Sequence, residues 1–317
     1  MQQEQVRSIV YDLQRNIRQV IVGKDEAIEL ALIALLCKGH VLIEDVPGVG
    51  KTTLASALAR SLDCSFKRIQ FTPDITPSDV TGFSMVNMKT GEMEFHQGAV
   101  MSQIVLADEI NRTSPKTQAA LLEVMEEGQV TVDGVTYLMP KPFVVLATQN
   151  PLDFVGTYPL PEAQLDRFFM KIAIGYPTNE EESLILERFS SGAKPMETIR
   201  PICSAQDIVS MQQMVSQVYS SREVRGYISL IAQASRRHNA LQRGVSTRGA
   251  IFLLHAAQAR ALLSGRDYVI PEDVQFMAAP VLAHRVLLSP EARMRSMTAE
   301  RVLSQVIGSV KVPVRVS

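Results

Sequence analysis

Most of a phosphate-binding loop stands in the stretch EDVPGVGKTT, residues 44–53. This loop follows the pattern G-x-x-x-x-G-K-[ST], and Gly50, Lys51 and Thr52 match its second half. In such a loop the lysine reaches the β- and γ-phosphates, and the hydroxyl group binds Mg²⁺. Asp45 stands where the first glycine belongs, so the stretch alone allows a working nucleotide site, a damaged one or a chance match.

The residues around this match fit the chemistry of phosphate binding. Backbone N–H groups can surround phosphate oxygens where glycines keep side chains out of the way. The apolar run HVLIE reads as the strand before the loop, and the helix predicted over 51–62 directs its positive N-terminal end at the anion. We therefore predict that ATP is bound by Pro47, Gly48, Val49, Gly50, Lys51, Thr52 and Thr53.

A pair of acids follows a second apolar run, in IVLADEINR. Unpaired carboxylates are costly to bury, so two acids at the end of a buried strand need a reason. We predict that Asp108 holds magnesium together with Thr52, and that Glu109 orients and deprotonates the attacking water. The competing interpretation is an acidic strand end that faces solvent.

A third apolar run ends in polar residues, in VVLATQNP. Asn150, or Gln149 beside it, would hold the lytic water near the γ-phosphate. Alone, an asparagine before Pro151 is better explained as a cap or turn residue. Three polar sites in the order K-T, D-E and Q-N favour a nucleotide site.

Short apolar runs alternate with helical patterns up to about residue 176. Strands buried on both faces read as continuous apolar runs, and strands separated by helices imply a parallel sheet with covered faces. We predict an α/β core with strands over 40–45, 66–71, 103–108, 142–150 and 168–175, and helices over 51–62, 115–127 and 161–167.

Two stretches interrupt this alternation, and each is predicted to form a β-hairpin. Residues 83–98 contain a Thr-Gly turn between mixed apolar flanks. Residues 129–138 contain Asp133-Gly134 between alternating flanks, which is the strongest short-range hairpin signal.

After Pro177 the pattern is helical to the end of the chain. Thr178 with Glu181, and Ser204 with Asp207, fit the [ST]-x-x-[DE] signal for the start of a helix. The chain is thus predicted to divide into an α/β nucleotide-binding domain, 1–176, and a smaller helical domain, 177–317. Further helices are predicted over 223–239, 247–263, 271–284 and 298–308, with linkers at 190–195 and 241–249.

The bulk properties argue against several classes of protein. In 317 residues, 32 basic against 33 acidic side chains leave a net charge of −1, so no overall field attracts nucleic acid or anionic lipid. The three cysteines form no C-x-x-C pair, which argues against a disulfide framework or a zinc ribbon. The N-terminus reads as a polar amphipathic helix rather than a signal peptide, and no run of about 18 apolar residues could span a bilayer. We expect a cytoplasmic protein without direct membrane insertion.

The order of these motifs, followed by a helical domain, resembles an AAA+ ATPase. Within that superfamily, ADEINRTSPKTQAALLEVMEEGQVTVDG and ATQNPLDFVGTYPLPEAQLDRFFMKI closely resemble the MoxR family, and the resemblance covers about residues 5 to 285. It implies an AAA+ P-loop NTPase core, with a five-stranded parallel sheet between helices, and a smaller all-α lid domain. The hairpin at 83–98 matches the insert in helix 2 of this branch, and the hairpin at 129–138 matches its pre-sensor-1 insert.

The resemblance also implies roles that the residues alone do not indicate. Arg167 in LDRFF matches the arginine finger, which reaches the γ-phosphate bound by a neighbouring subunit, and Arg248 in VSTRGA matches the sensor 2 arginine of the lid. Without the family, both would be interpreted as ordinary arginines. Val22 and Gly23 in VIVGKDEAI match the segment that contacts adenine. A finger that acts in trans requires a closed ring, which the family leads us to expect as a hexamer.

Three functions follow as hypotheses. The first, implied by the family, is a chaperone-like ATPase that remodels protein clients, for enzyme maturation or metal-cofactor insertion, with a von Willebrand factor A-type domain partner. The second is a DNA-directed translocase, which is disfavoured because the 129–138 hairpin has no basic residue and the other hairpin has only Lys89, near Glu92. The third is a scaffold that binds ATP with little turnover, and Asp45 is its only support.

Asp45 is predicted to lie at the end of the strand, before the loop closes around the ligand. Its carboxylate is expected to cap amides of the loop, and Asp45→Gly to change ATP binding by no more than a few-fold.

Overall fold

The structure, a computed structural model, describes residues 3–150, 156–190, 192 and 194–313. Its strands are β1 (Val41–Glu44), β2 (Phe66–Gln70), β3 (Gly82–Val86), β4 (Met93–Gln97), β5 (Ile104–Asp108), β6 (Gln129–Val132), β7 (Val135–Leu138), β8 (Val144–Gln149), β9 (Met170–Ile172), β10 (Leu241–Arg243) and β11 (Leu287–Leu288). Its helices are α1 (Gln3–Arg18), α2 (Asp25–Leu36), α3 (Lys51–Ser61), α4 (Pro77–Thr81), α5 (Pro115–Glu127), α6 (Glu162–Leu165), α7 (Asn179–Ser190), α8 (Pro195–Thr198), α9 (Ala205–Val215), α10 (Arg222–Arg237), α11 (Thr247–Leu263), α12 (Pro271–Leu282), α13 (Pro290–Met294) and α14 (Ala299–Ser309).

The five predicted core strands form one parallel sheet, in the order β2-β5-β8-β1-β9. This confirms the predicted α/β core. The register pairs Glu44 with Gln149, and Gln70 with Asp108. The carboxyl ends of β1, β2, β5 and β8 therefore meet at one edge of the sheet, where polar residues follow each strand.

Successive residues along a strand of the sheet belong alternately to two different apolar clusters. Along β5, Ile104 and Leu106 belong to a cluster that includes residues of α1, α2 and α3. Val105 and Ala107 belong to a second cluster, which includes residues of α5. The two-residue period of a strand produces this division. The sheet consequently lies between two helical layers.

Both predicted hairpins are present, as the antiparallel pairs β3–β4 and β6–β7. Asp133 and Gly134 have φ angles of 50° and 78°, and two consecutive positive φ angles are what a type I′ hairpin turn requires. The rings of Phe95 and Tyr137 stack with centroids 3.9 Å apart, so the two hairpins contact each other.

The C-terminal part is helical, as predicted, and α11 covers the predicted 247–263. Ser204 and Asp207 form the capping box that begins α9. A short antiparallel pairing of β10 with β11 is added to the helices, and β10 lies in the stretch 241–249 that was predicted as a linker. Helix α12 ends at Leu282 and continues as a 3₁₀ turn over Ala283–Arg285.

The domain boundary between 176 and 177 stays a prediction. Helix α1 packs against α11, and α2 packs against α9 and α11. One apolar cluster contains residues from both sides of the boundary. The helical lid is thus docked on the helices of the α/β core. Within the described ranges, no helix is long and apolar enough to cross a membrane.

Candidate nucleotide site

The phosphate-binding loop joins β1 to α3, as its motif predicts. Gly48 and Gly50 have φ angles of 86° and 94°, and Gly50 is the residue before α3 begins. Only glycine adopts this left-handed backbone without cost. No atom lies within 4 Å of where a Cβ on Gly48 would be, so its backbone angle, rather than crowding, calls for glycine.

Asp45 uses its carboxylate to hold backbone amides. Its Oδ1 accepts a hydrogen bond from the amide of Val46 (2.8 Å), and its Oδ2 accepts from the amides of Ile174 (2.7 Å) and Gly175 (2.6 Å). Asp45 is 9% exposed, and these bonds satisfy a carboxylate that would otherwise be costly to bury. The predicted capping of amides is confirmed, and it extends beyond the loop to the segment after β9.

Lys51 lies between this loop and the acids of β5. Its Nζ donates to the backbone carbonyl of Asp45 at 2.6 Å. Burial lowers the pKa of Lys51, and the negative charges of Asp45, Asp108 and Glu109 oppose that shift. Two of these charges, Asp108 and Glu109, belong to the acids that the sequence predicts near the phosphates.

Asp108 is held on both oxygens. Its Oδ1 accepts a hydrogen bond from Thr148 Oγ1 at 2.6 Å, and its Oδ2 accepts from Arg68 Nη2 at 2.6 Å. Thr148 belongs to β8 and Arg68 to β2, the two strands beside β5. The neighbouring strands therefore orient this carboxylate.

Glu109 has a φ angle of 57°, which is uncommon for a residue other than glycine. Its amide donates to Thr148 Oγ1 at 2.9 Å, and its Oε2 accepts from Gln70 Nε2 at 2.9 Å. Arg112 lies 3.4 Å from the same oxygen. This turn after β5 aims the Glu109 side chain at the cavity in front of the loop.

Lys51, Asp108 and Glu109 line one polar cavity of about 380 Å³, which we call the phosphate cavity. Asn150, 8% exposed, lies in it beside the acids. Its predicted members are Pro47, Gly48, Gly50, Lys51, Thr52, Thr53, Asp108, Glu109 and Asn150, and Arg68 and Gln70 join them.

An apolar cavity of about 640 Å³ adjoins the phosphate cavity, and Gly48, Gly50 and Thr53 border both. Val22, which the family resemblance places at the adenine, lines this cavity together with Val49 of the phosphate-binding loop. Its other apolar walls are Val20, Ile21, Ile185, Phe189 and Met196. An apolar chamber next to a polar one matches the base and the phosphates of a nucleotide.

Gly23 is not among the described residues that line this apolar cavity. It borders another cavity, and a Cβ on Gly23 would lie 1.7 Å from Oε1 of Glu181 in α7. Glu181 is also 3.4 Å from Lys24. Gly23 therefore allows α7 to pack closely here, and contact of Gly23 with adenine stays a prediction.

The oxygens of Thr52 and Asp108 suit Mg²⁺. This ion usually binds proteins through one or two carboxylates together with substrate phosphates, rather than in an all-protein cage. The two residues line the same cavity. In the part of the chain that the structure describes, no cluster of three or more His, Cys, Asp or Glu side chains could hold a metal. The donor set therefore fits a magnesium ion that arrives with the nucleotide.

Arg167 and Arg248 lie together around one carboxylate of the α/β core. Glu126 is 3.3 Å from Nε of Arg167 and 3.3 Å from Nη2 of Arg248. Asp166 is 4.0 Å from Arg248 and 3.0 Å from Arg285. We call these five residues the arginine junction. Among the described residues that line the phosphate cavity, none belongs to this junction.

Several of these side chains were not predicted from the sequence as members of the site. Arg68 and Gln70 carried a usable signal, because two residues apart in a strand means one face, next to the acids of β5. For Glu126, Asp166 and Arg285 the sequence contains no such signal, since only the docking of the lid brings them together.

Two family models match the chain. The model of the ATPase family associated with various cellular activities (AAA) matches residues 40–170, and the model of the AAA lid domain matches residues 233–306. The first interval contains the phosphate-binding loop and the acids of β5, and the second contains Arg248 and Arg285.

Relatives match nearly the whole chain. The protein YeaC of Bacillus subtilis is 52% identical over 99% of this chain and 98% of its own. Chaperone MoxR1 of Mycobacterium tuberculosis is 40% identical over 96% of this chain and 83% of its own. Protein MoxR of Methylorubrum extorquens is 32% identical over 89% of this chain and 88% of its own. A crystal structure from Cytophaga hutchinsonii, described as an ATPase, superposes with a TM-score of 0.92 at 37% identity, over 98% of this chain and 97% of that one.

Proposed function

The chain belongs to the MoxR family of AAA+ ATPases, and from that membership we propose that it is a ring-shaped, chaperone-like machine that remodels protein clients. In this proposal it works in the cytoplasm, uses ATP with Mg²⁺, and acts with a partner that carries a von Willebrand factor A-type domain. The clients are enzyme complexes that require maturation or insertion of a metal cofactor.

The exposed apolar surface of the two hairpins is the observation that supports a protein client. Met88 is 95% exposed and Leu138 is 73% exposed. An exposed apolar patch on a soluble protein typically marks an interaction site, and methionine adapts to partners of different shape. The other exposed apolar residues of this hairpin surface are Phe83, Met85, Val86, Met93 and Val135.

The charges of the hairpins favour protein over DNA. Lys89 is accompanied by three acids of the same hairpins, Glu92, Glu94 and Asp133. A surface that grips phosphates needs an excess of lysine or arginine. These acids would instead repel a nucleic acid backbone.

The geometry of the phosphate cavity supports the roles that we propose for its residues. Lys51 and the amides of the loop bind the phosphates, while Glu109 takes a proton from the attacking water. Asn150, at the end of the neighbouring strand, positions that water. Mg²⁺, when bound with the nucleotide, neutralises charge on the phosphates. Thr148 and Gln70 keep the two acids oriented.

We also propose that the arginine junction completes the site of a neighbouring subunit. Arg167 and Arg248 share Glu126 and lie outside the described lining of their own phosphate cavity. Their shared location supports a role in trans for both arginines. A head-to-tail contact that closes forms a ring, and the family expectation is a hexamer.

The ring is tested by the mass of the Glu109→Gln variant, which should keep ATP bound. With ATP, light scattering should give a mass of about six chains of 35.0 kDa, as closure of a head-to-tail ring requires. A monomer under these conditions would contradict the ring.

The client role is tested by ATP turnover. Addition of a purified von Willebrand factor A-type domain protein from the same genome should raise turnover of the wild type. Replacing Met85, Met88 and Met93 by serine should remove this response and leave basal turnover unchanged. Met294→Ser, in the lid and 79% exposed, is the matched control. Severalfold stimulation by duplex DNA, with steep salt dependence, would instead favour the translocase.

A further inference from the structure

Arg285 is a buried charge in the turn that follows α12. The residue is 4% exposed, and its side chain is 1% exposed. A buried guanidinium is costly unless carboxylates and carbonyls satisfy its donors. Burial lowers the pKa of Arg285 to about 10, so the group remains charged at neutral pH.

The partners of this guanidinium in the α/β core are concentrated around Arg167. Nε donates to Asp166 Oδ1 at 3.0 Å, and Nη2 donates to the Asp166 carbonyl at 3.2 Å. Nη1 donates to the Phe169 carbonyl at 3.2 Å, and Nη2 also donates to the Phe168 carbonyl. The residues on both sides of Arg167 are therefore bonded to a single side chain of the lid.

Inside the lid, Arg285 is itself held in place. Nη1 donates to the carbonyl of Val281, one turn earlier in α12, and contacts the ring of His284. The ring of Phe252 in α11 contacts two guanidinium groups, with its centroid 4.8 Å from Arg285 and 5.5 Å from Arg248. The fork of Arg285 is thus fixed relative to Arg248, the other arginine of the junction that we assign to a neighbouring site.

We infer that Arg285 is a positioning residue, through which the lid sets the place of Arg167 relative to the nucleotide of the neighbouring subunit. The guanidinium is planar and offers several donors in fixed directions, so it fixes the 166–169 backbone in a way that a single ammonium group cannot. This inference rests on the proposed role of Arg167 in trans. It adds that the lid and the finger move together.

A role limited to anchoring the lid predicts something different from positioning. Loss of an anchor would lower the stability of the subunit that contains Arg285 and would impair the nucleotide site of that same subunit. A positioning residue would leave that site intact and impair the neighbour. Mixed rings separate these two outcomes, because the damaged site and the substituted residue then belong to different subunits.

The principal variant is Arg285→Lys, which retains the charge and loses the fork. Turnover should fall about 10²-fold, the effect of a misplacement of about 1 Å, while ATP affinity stays within a factor of about two. Asp166→Asn removes the charged partner at a half-exposed position, and it serves in the same assays if Arg285→Lys does not fold. A melting curve reports folding. Wild-type turnover in both variants would overturn the inference.

The decisive experiment mixes Arg285→Lys subunits with Lys51→Ala subunits, which lack a working phosphate site but have an intact finger. Mixing should restore turnover, because a Lys51→Ala subunit supplies its finger to the nucleotide of its neighbour. Arg167→Ala mixed with Lys51→Ala is the reference. Recovery in the reference alone would overturn the positioning role and leave the proposed ring standing. Recovery in neither would show that Arg167 does not act in trans, and both proposals would then fall.

Discussion

The phosphate cavity and the arginine junction both depend on charged side chains, but they are assembled in different ways. The cavity is built where neighbouring parallel strands end, and each group lies near the end of its strand or in the segment that follows it. The junction combines the end of α5, the segment after α6, the start of α11 and the turn after α12. The first is a product of sheet geometry, and the second is a product of lid docking.

This difference has a functional meaning. The cavity contains the groups of one chain that we propose to bind phosphates and activate water. The junction contains arginines that are held by carboxylates of the same chain. We propose that these arginines contact the nucleotide of a neighbouring subunit. Substitutions in the cavity should therefore act in every assembly state, and substitutions in the junction only in the ring.

The largest effect is expected for Arg167→Ala. Turnover should fall about 10³-fold or more, as for other arginine fingers, because charge on the transferred phosphoryl group loses its partner. ATP affinity of the isolated subunit should stay within a few-fold. Phosphate release and fluorescent-nucleotide binding would measure the two quantities. Arg18→Ala, which removes a half-exposed arginine paired with Asp25, is the control. Unchanged turnover would remove the distinction between the two regions.

Glu109→Gln should lower turnover by about 10²-fold or more, because the attacking water loses its base. Nucleotide should still bind, whereas Lys51→Ala should lose binding as well. The same two assays apply, with Glu123→Gln on the exposed face of α5 as the matched control. Measurable turnover near the wild-type level in Glu109→Gln would mean that another group deprotonates the water.

A smaller effect is expected for Arg68→Met. Arg68 holds the Asp108 oxygen at 2.6 Å, and its side chain is 47% exposed. The side chain of Asp108 is 13% exposed, and an ion pair that is open to solvent on the arginine side contributes on the order of 1 kcal/mol, so its removal should lower the Mg²⁺ concentration needed for half-maximal nucleotide binding by about fivefold. Titration of Mg²⁺ against nucleotide fluorescence measures this. A higher requirement in the variant would show that Arg68 assists the metal or the phosphates.

The smallest effect on nucleotide binding is expected for Asp45→Gly. ATP affinity should change by less than about threefold, since the carboxylate is bonded to amides rather than to the phosphate-binding groups. The melting temperature should fall by about 5 °C, because a loss of about 2 kcal/mol shifts it by that order. The melting temperature of Asp45→Asn should lie between those of the wild type and Asp45→Gly. A large gain in ATP affinity would show that the acid impairs the site.

The parts of the fold that could be predicted are those with local signals. Helix α5 covers the predicted 115–127, because Ser114 caps its start, Pro115 suits its first turn and Gly128, with a φ of 63°, ends it. Strands β1, β5 and β8 were visible as buried apolar runs, whereas the edge strand β2 mixes charged and apolar residues and buries only Ile69. The turn of the second hairpin could be predicted from Asp133 and Gly134 alone.

The missed features are non-local. Strands β10 and β11 pair across a separation of more than 40 residues, and each is too short to show a pattern of its own. The partners of Arg285 in the α/β core are 116 to 119 residues away from it. In one sequence nothing distinguishes such an arginine from one on the surface. The phosphate site could be interpreted from the sequence, and the groups that we propose to serve its neighbour needed the family resemblance.

The sharing of Glu126 by two arginines has a thermodynamic consequence for the ring. The junction combines three arginines with two carboxylates, which leaves one positive charge in excess. If the phosphates of a neighbour supply the missing anion, ATP strengthens subunit association, and by reciprocity association strengthens ATP binding by the same factor. Salt weakens both, because it screens the same half-exposed charges. The affinity of this protein for ATP would then depend on its own concentration, and a dilute sample would underestimate it.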